Sequence, residues 1–68
     1  MKHNLAENYS YSEIEHNINE KILNKRYRDI LKSRLLDGYT FEEIGEMYDM
    51  TDRQIKNIVY KAEQKLFK

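Results

Sequence analysis

Cysteine and proline are both absent from the 68 residues, and glycine occurs only twice, at positions 38 and 45. Without cysteine there is neither a disulfide staple nor a thiolate zinc site. Without proline, and with so little glycine, a turn-rich β fold has no punctuation, which favours helices. No apolar run nears the ~18–20 residues of a membrane span. The N-terminal MKHNLAENYS lacks the hydrophobic stretch of a secretory signal. No glycine-rich phosphate loop, zinc signature or Ser, His and Asp arrangement is present, so no enzymatic role is expected. His3 and His16 stand apart with no matching ligand set, and no metal or cofactor is implied. These absences leave a small helical protein, cytoplasmic by default, whose single core supplies about 3–5 kcal/mol net.

A surplus of either sign of charge is also missing, because 12 Lys and Arg balance 12 Asp and Glu. That argues at first against nucleic acid, whose partners normally carry a basic footprint. The distribution of charge points the other way. Residues 25–36 hold five basic side chains and one acidic, and residues 51–68 hold five and two. Residues 37–50 hold five acidic side chains and no basic one. Positive charge is therefore concentrated in two segments, although ordinary solvated helix faces can produce such blocks as well.

Residues 1–9 are polar and aperiodic and predict a flexible tail, followed by one helical domain over 10–68. Ser10 and Ser12 each fit a Ser-x-x-Glu capping box, with Glu13 and Glu15. Tyr11, Ile14, Ile18 and Ile22 then recur at three- and four-residue steps, the stripe of an amphipathic helix. Asn24 can cap a second helix running to about Leu36, with Tyr27, Ile30, Leu31 and Leu35 on one face and Arg26, Lys32 and Arg34 mostly off it. Asp37-Gly38 is a stop, with Gly38 suited to the left-handed conformation at C′.

Thr40-Phe41-Glu42-Glu43 is a second capping box, with two carboxylates in a first turn where the helix dipole favours them. Adjacent on a helix, Glu42 and Glu43 diverge by about 100° and read as capping charges rather than an acid/base pair. This third helix is short, with Phe41, Ile44, Met47 and Tyr48 expected inward. Asp49-Met50 makes a turn, and Asp tolerates a left-handed backbone. Thr51-Asp52-Arg53-Gln54 opens a fourth helix whose buried face should be Ile55, Ile58, Ala62 and Leu66.

Two short-linked, well-capped helices with Gly45 at their meeting point fit a helix-turn-helix over residues 40–67. Met50 would plug the turn, with Ile55 and Ile58 locking the fourth helix from beneath. A plain helical hairpin shares part of this pattern, but the caps, the glycine and the spacer agree on the former. The opposite face presents Asp52, Arg53, Gln54, Lys56, Asn57, Tyr60 and Lys61. Arg and Lys pair with guanine, and Asn and Gln with adenine, so these are types that read a major groove. Tyr27, Tyr39 and Tyr48 read as packing, Tyr60 as a DNA contact or plain surface, and Tyr9 and Tyr11 as cover for an apolar patch or a partner.

The segment from Tyr39 to Phe67 resembles region 4 of the sigma-70 family of bacterial transcription initiation factors. Tyr39-Thr40-Phe41-Glu42-Glu43-Ile44-Gly45 is similar to that family's Tyr-Thr-Leu-Glu-Glu-Val/Ile-Gly. Thr51 through Leu66 follows its Thr/Ser-Arg-Glu-Arg-Val-Arg-Gln-Ile-x-x-Lys-Ala-x-x-Lys-Leu. Tyr27 to Gly38 is similar to the preceding helix, so about two-thirds of the chain is covered. The resemblance implies an all-α, four-helix domain that binds double-stranded DNA. Thr40 and Phe41 would lie against the backbone, while Arg53, Lys56 and Asn57 would face bases. The family's Arg-Glu-Arg is Asp52-Arg53-Gln54 here, and its Arg-Gln is Lys56-Asn57; Lys lacks the bidentate fork of Arg, so a different target from the −35 element is expected. With no counterpart of the family's −10-reading region among these residues, the chain resembles the stand-alone region-4-like regulators of phages and mobile elements in bacterial cells.

The expected function is a sequence-specific transcriptional regulator acting at promoters. In it Arg53, Gln54, Lys56 and Asn57 read base edges, and Thr40, Thr51, Tyr60 and Lys61 set the backbone register. A neutral monomer with one reading helix should bind weakly alone. It would gain affinity from a homodimer through the helix carrying Ile14, Ile18 and Ile22, or from docking on RNA polymerase. The competing expectation is a module that occupies RNA polymerase or an anti-sigma factor without reading DNA.

Overall fold

The computed structural model describes residues 9–67, and within them the chain forms four helices and no strand: α1 (Tyr11–Lys21), α2 (Lys25–Leu35), α3 (Phe41–Tyr48) and α4 (Asp52–Leu66). Residues 1–8 of the expected flexible tail lie outside the described residues. Every helix starts at a polar side chain that accepts a bond from the N3 backbone N–H, satisfying one of the orphan donors of a helix N-terminus. Ser10 with Glu13, Thr40 with Glu43 and Thr51 with Gln54 form closed boxes, and Asn24 accepts from Tyr27 N–H at 3.1 Å. Between the two sequence candidates for the first cap, Ser10 is the one used.

The core gathers from all four helices. Ile14, Ile18 and Ile22 come from α1 and its C-cap, Ile30 and Leu31 from α2, and Ile44 from α3. Ile55, Val59, Ala62 and Leu66 come from α4, which, like α2, packs against each of the other three helices. Ser33 is the one buried polar side chain among the described residues, and its hydroxyl donates to the Asp29 carbonyl at 2.9 Å, one turn back.

Three expectations need correction. On α4 the buried residue is Val59 rather than Ile58, which is half-buried. From Ile55 the observed steps are +4, +7 and +11, so the apolar stripe runs through 59, while 58 sits at its edge. On α3, Tyr48 packs on the core but Met47 is 51% exposed. Tyr11, expected on the α1 stripe, is 60% exposed, whereas Tyr9, at the end of the expected tail, covers an apolar patch by packing on Phe67 with ring centroids 4.8 Å apart. Ile14, Ile18 and Ile22 are buried inside the monomer, so a homodimer through the helix that carries them would have to use that helix's outward polar face. A partner copy could reach the isoleucines only by displacing α2 and α4.

The basic segment of α2 is largely spent on structure. Arg28 donates to the Ile22 carbonyl at the end of α1, Arg26 to the Tyr48 carbonyl at the end of α3, and Arg34 to the Tyr39 carbonyl at 2.9 Å. Carbonyls at helix C-termini lack intrahelical partners and carry the negative end of the dipole, so a guanidinium there is doubly favoured. Lys25 pairs with Asp29 at 3.7 Å on the surface, which contributes little.

Candidate nucleic-acid interface

The geometry of the reading helix is set at the turn before it. Asp49 adopts φ 57° and ψ 48°, the left-handed conformation, and its N–H and that of Met50 both bond the Gly45 carbonyl. A Cβ on Gly45 would lie 2.4 Å from the Met50 carbonyl oxygen, so the turn closes to this tightness only over a residue without a side chain. Gly38 also takes a left-handed φ of 78°, two residues past the C-cap Leu36 rather than at C′, and ends the α2 connection.

Locked in this way, α4 turns Arg53, Lys56, Asn57, Tyr60 and Lys61 to solvent. Their spacing of 0, 3, 4, 7 and 8 from Arg53 places them on one face. Asp52 is half-buried in the first turn, where its charge meets the positive end of the helix. Thr40 and Thr51 are the N-caps of α3 and α4, exposed but already engaged by their own helices. Gln54 is exposed too, yet its amide oxygen accepts from Thr51 N–H at 3.0 Å and from the Thr51 hydroxyl at 3.3 Å. Bidentate pairing with adenine needs that oxygen, so a closed cap excludes it.

The remaining residues divide between two flanks of α4. On the α3 side, Phe41 is half-buried, with the Tyr60 ring edge-on at 6.0 Å and 76° and the Lys56 ammonium 5.8 Å from its centroid. Arg34, which was not among the residues expected from sequence to serve the site, lies 4.2 Å above the same ring. The available signal was an aromatic where the related motif carries Leu, with an arginine in the helix before it. On the other flank, Lys61 and Gln54 border a groove between α4 and the α1–α2 junction. Leu23, 86% exposed, lines it with Tyr27, Met50 and Ile58, and Lys21, Lys61 and Lys65 rim it. Among the described residues no group of His, Cys, Asp and Glu is gathered as a metal site, and no helix is long and apolar enough to cross a membrane.

An all-α arrangement with a tight left-handed turn, a capped second helix and a polar outward face on that helix defines a DNA-binding helix-turn-helix domain. More narrowly, the chain belongs to the Sigma-70, region 4 family, whose model matches residues 21–68. Domains of that family bind DNA and RNA polymerase. Neither the curated proteins nor the solved structures provide a match to the chain.

Proposed function

We propose that the protein is a transcriptional regulator that reads promoter DNA in a sequence-specific way, laying the outward face of α4 in the major groove. The observation that carries this reading is the single exposed face on which Arg53, Lys56 and Asn57 converge, on a helix fixed by the Gly45 turn. Arg53, Lys56 and Asn57 contact base edges; Thr40, Phe41, Tyr60 and Lys61 set the register on the backbone. Thr51 and Gln54 act through the cap they close, and Asp52 contributes as a first-turn charge.

A few base contacts on one helix give limited affinity, each good bidentate pair contributing ~1–3 kcal/mol of discrimination. With the α1 isoleucines committed to the core, the additional free energy comes from docking on RNA polymerase. The groove beside Leu23 and Ile58, rimmed by three lysines, favours that partner and is the basis of a second reading in which the protein occupies polymerase without reading DNA. The readings separate by mutation. Lys56→Ala and Asn57→Ala should each relax sequence preference about tenfold, measured by sequencing duplexes retained from a randomised pool. Tyr60→Ala should weaken binding to all duplexes alike. If none of the three changes either quantity, the reading face is wrongly assigned.

A further inference from the structure

We propose that Arg34, which lies outside the helix-turn-helix, is a positioning residue for its reading face, acting through Phe41 on Lys56 and Tyr60. The inference rests on the DNA-reading assignment of α4 and concerns how that face is held. A guanidinium is flat, with a π face and an in-plane rim of N–H donors. Arg34 is placed to use both: its guanidinium carbon lies over the Phe41 ring, 4.2 Å from the centroid, and its Nη1 donates to the Tyr39 carbonyl at 2.9 Å. One side chain therefore fastens the end of α2 to the residues on either side of the Thr40 cap. Phe41, fixed from above, makes a T-shaped contact with the Tyr60 ring and has the Lys56 ammonium 5.8 Å from its centroid.

Tyr60 and Lys56 are otherwise exposed, and an exposed side chain samples several rotamers. Contact with a held ring narrows that sampling before DNA arrives, which lowers the ordering cost of binding. Lysine at position 34 keeps the charge but cannot stack flat and donate in-plane at once, so Arg34→Lys isolates geometry from charge. Phe41→Leu keeps an apolar side chain and removes the ring through which Arg34 would act.

The test is a double-mutant cycle of Arg34→Lys and Phe41→Leu in the full chain, with affinity measured on the duplex best retained from a random pool. Arg34→Lys should lower affinity about fivefold with Phe41 present, the scale of one partly exposed cation–π contact, and less than about twofold in the Phe41→Leu background. Equal losses in both backgrounds would overturn the proposal, since Arg34 would then act without the ring. Proton NMR of the free protein supplies a readout independent of DNA. Arg34→Lys should weaken the Phe41–Tyr60 cross-peaks and move the Lys56 side-chain methylene signals towards unstructured positions, with the core signals unchanged. Unaltered Tyr60 and Lys56 signals would refute the positioning role even if affinity fell. Absence of DNA binding in the parent chain would instead remove the DNA-reading assignment and, with it, the purpose proposed for the cluster.

Discussion

Gly45→Ala should lower the melting temperature by about 10–15 °C and abolish whatever binding the outward face of α4 supports. The added Cβ would sit 2.4 Å from the Met50 carbonyl oxygen and 3.4 Å from the Met50 and Thr51 carbonyl carbons. These are backbone atoms, so no side-chain rotation relieves the clash. Overpacking of this kind costs about 3 kcal/mol, and alanine's better helix propensity returns at most about 1. The net ~2 kcal/mol is a large share of the ~3–5 kcal/mol a domain of this size holds, and each kcal/mol shifts melting by about 4–8 °C. Gly38→Ala provides the contrast. Nothing lies within 4 Å of a Cβ there, so only the left-handed backbone at φ 78° opposes it, at about 1–2 kcal/mol. Circular dichroism melting of both variants checks the pair. A Gly45→Ala protein melting within about 3 °C of the parent would mean that α3 and α4 do not approach this closely.

Ile18→Ala should leave the chain largely unfolded at 37 °C. Ile18 is fully buried, with Ile14 one turn before it and Ile22 one turn after. Truncation of a buried isoleucine costs about 2–5 kcal/mol, the scale of the domain's entire stability. The family match begins at residue 21, so nearly all of α1 lies outside it. The helix-turn-helix is therefore expected to depend on core residues that lie outside the matched span. Tyr11→Ala, on the same helix but with a side chain 60% exposed, should change stability by no more than about 0.5 kcal/mol. Guanidinium titrations followed by far-ultraviolet circular dichroism separate the two. Equal midpoints for Ile18→Ala and Tyr11→Ala would show that α1 is not part of the core.

What the sequence made legible was local. The capping boxes at Ser10, Thr40 and Thr51 close within three residues, and the need for Gly45 follows from a turn that folds Met50 back over it. The left-handed Asp49 belongs to the same short-range logic. Residues whose environment is decided by distant neighbours were harder to read. Ile58 and Val59 both satisfy a three- or four-residue step from Ile55, and so do Met47 and Tyr48 from Ile44. Which of each pair is buried depends on the angle at which α1 and α2 meet the helix, and spacing alone does not fix that angle. The arginines of α2 looked like a basic patch. Arg26, however, donates to Tyr48, twenty-two residues on, and Arg34 shares its guanidinium between Tyr39 and Phe41. Long side chains have reach, and a charge count cannot tell a phosphate ligand from a clamp on a carbonyl. Gln54 shows the converse, since its capping role and its base-reading role were both legible and they compete for one oxygen.

The most direct test of DNA reading by α4 is fluorescence anisotropy of the purified chain on a randomised duplex pool without polymerase. Binding is titrated across salt, and the bound fraction is then sequenced. Lys61 as the backbone cation, with Arg53 and Lys56 in the groove beside it, predicts that log affinity falls with log salt at a slope between about −1 and −3, with a motif enriched among the retained duplexes. Binding that is absent even at low salt would contradict a DNA-reading function and assign the exposed face of α4 to a protein partner; binding that retains duplexes without any shared motif would contradict sequence-specific reading.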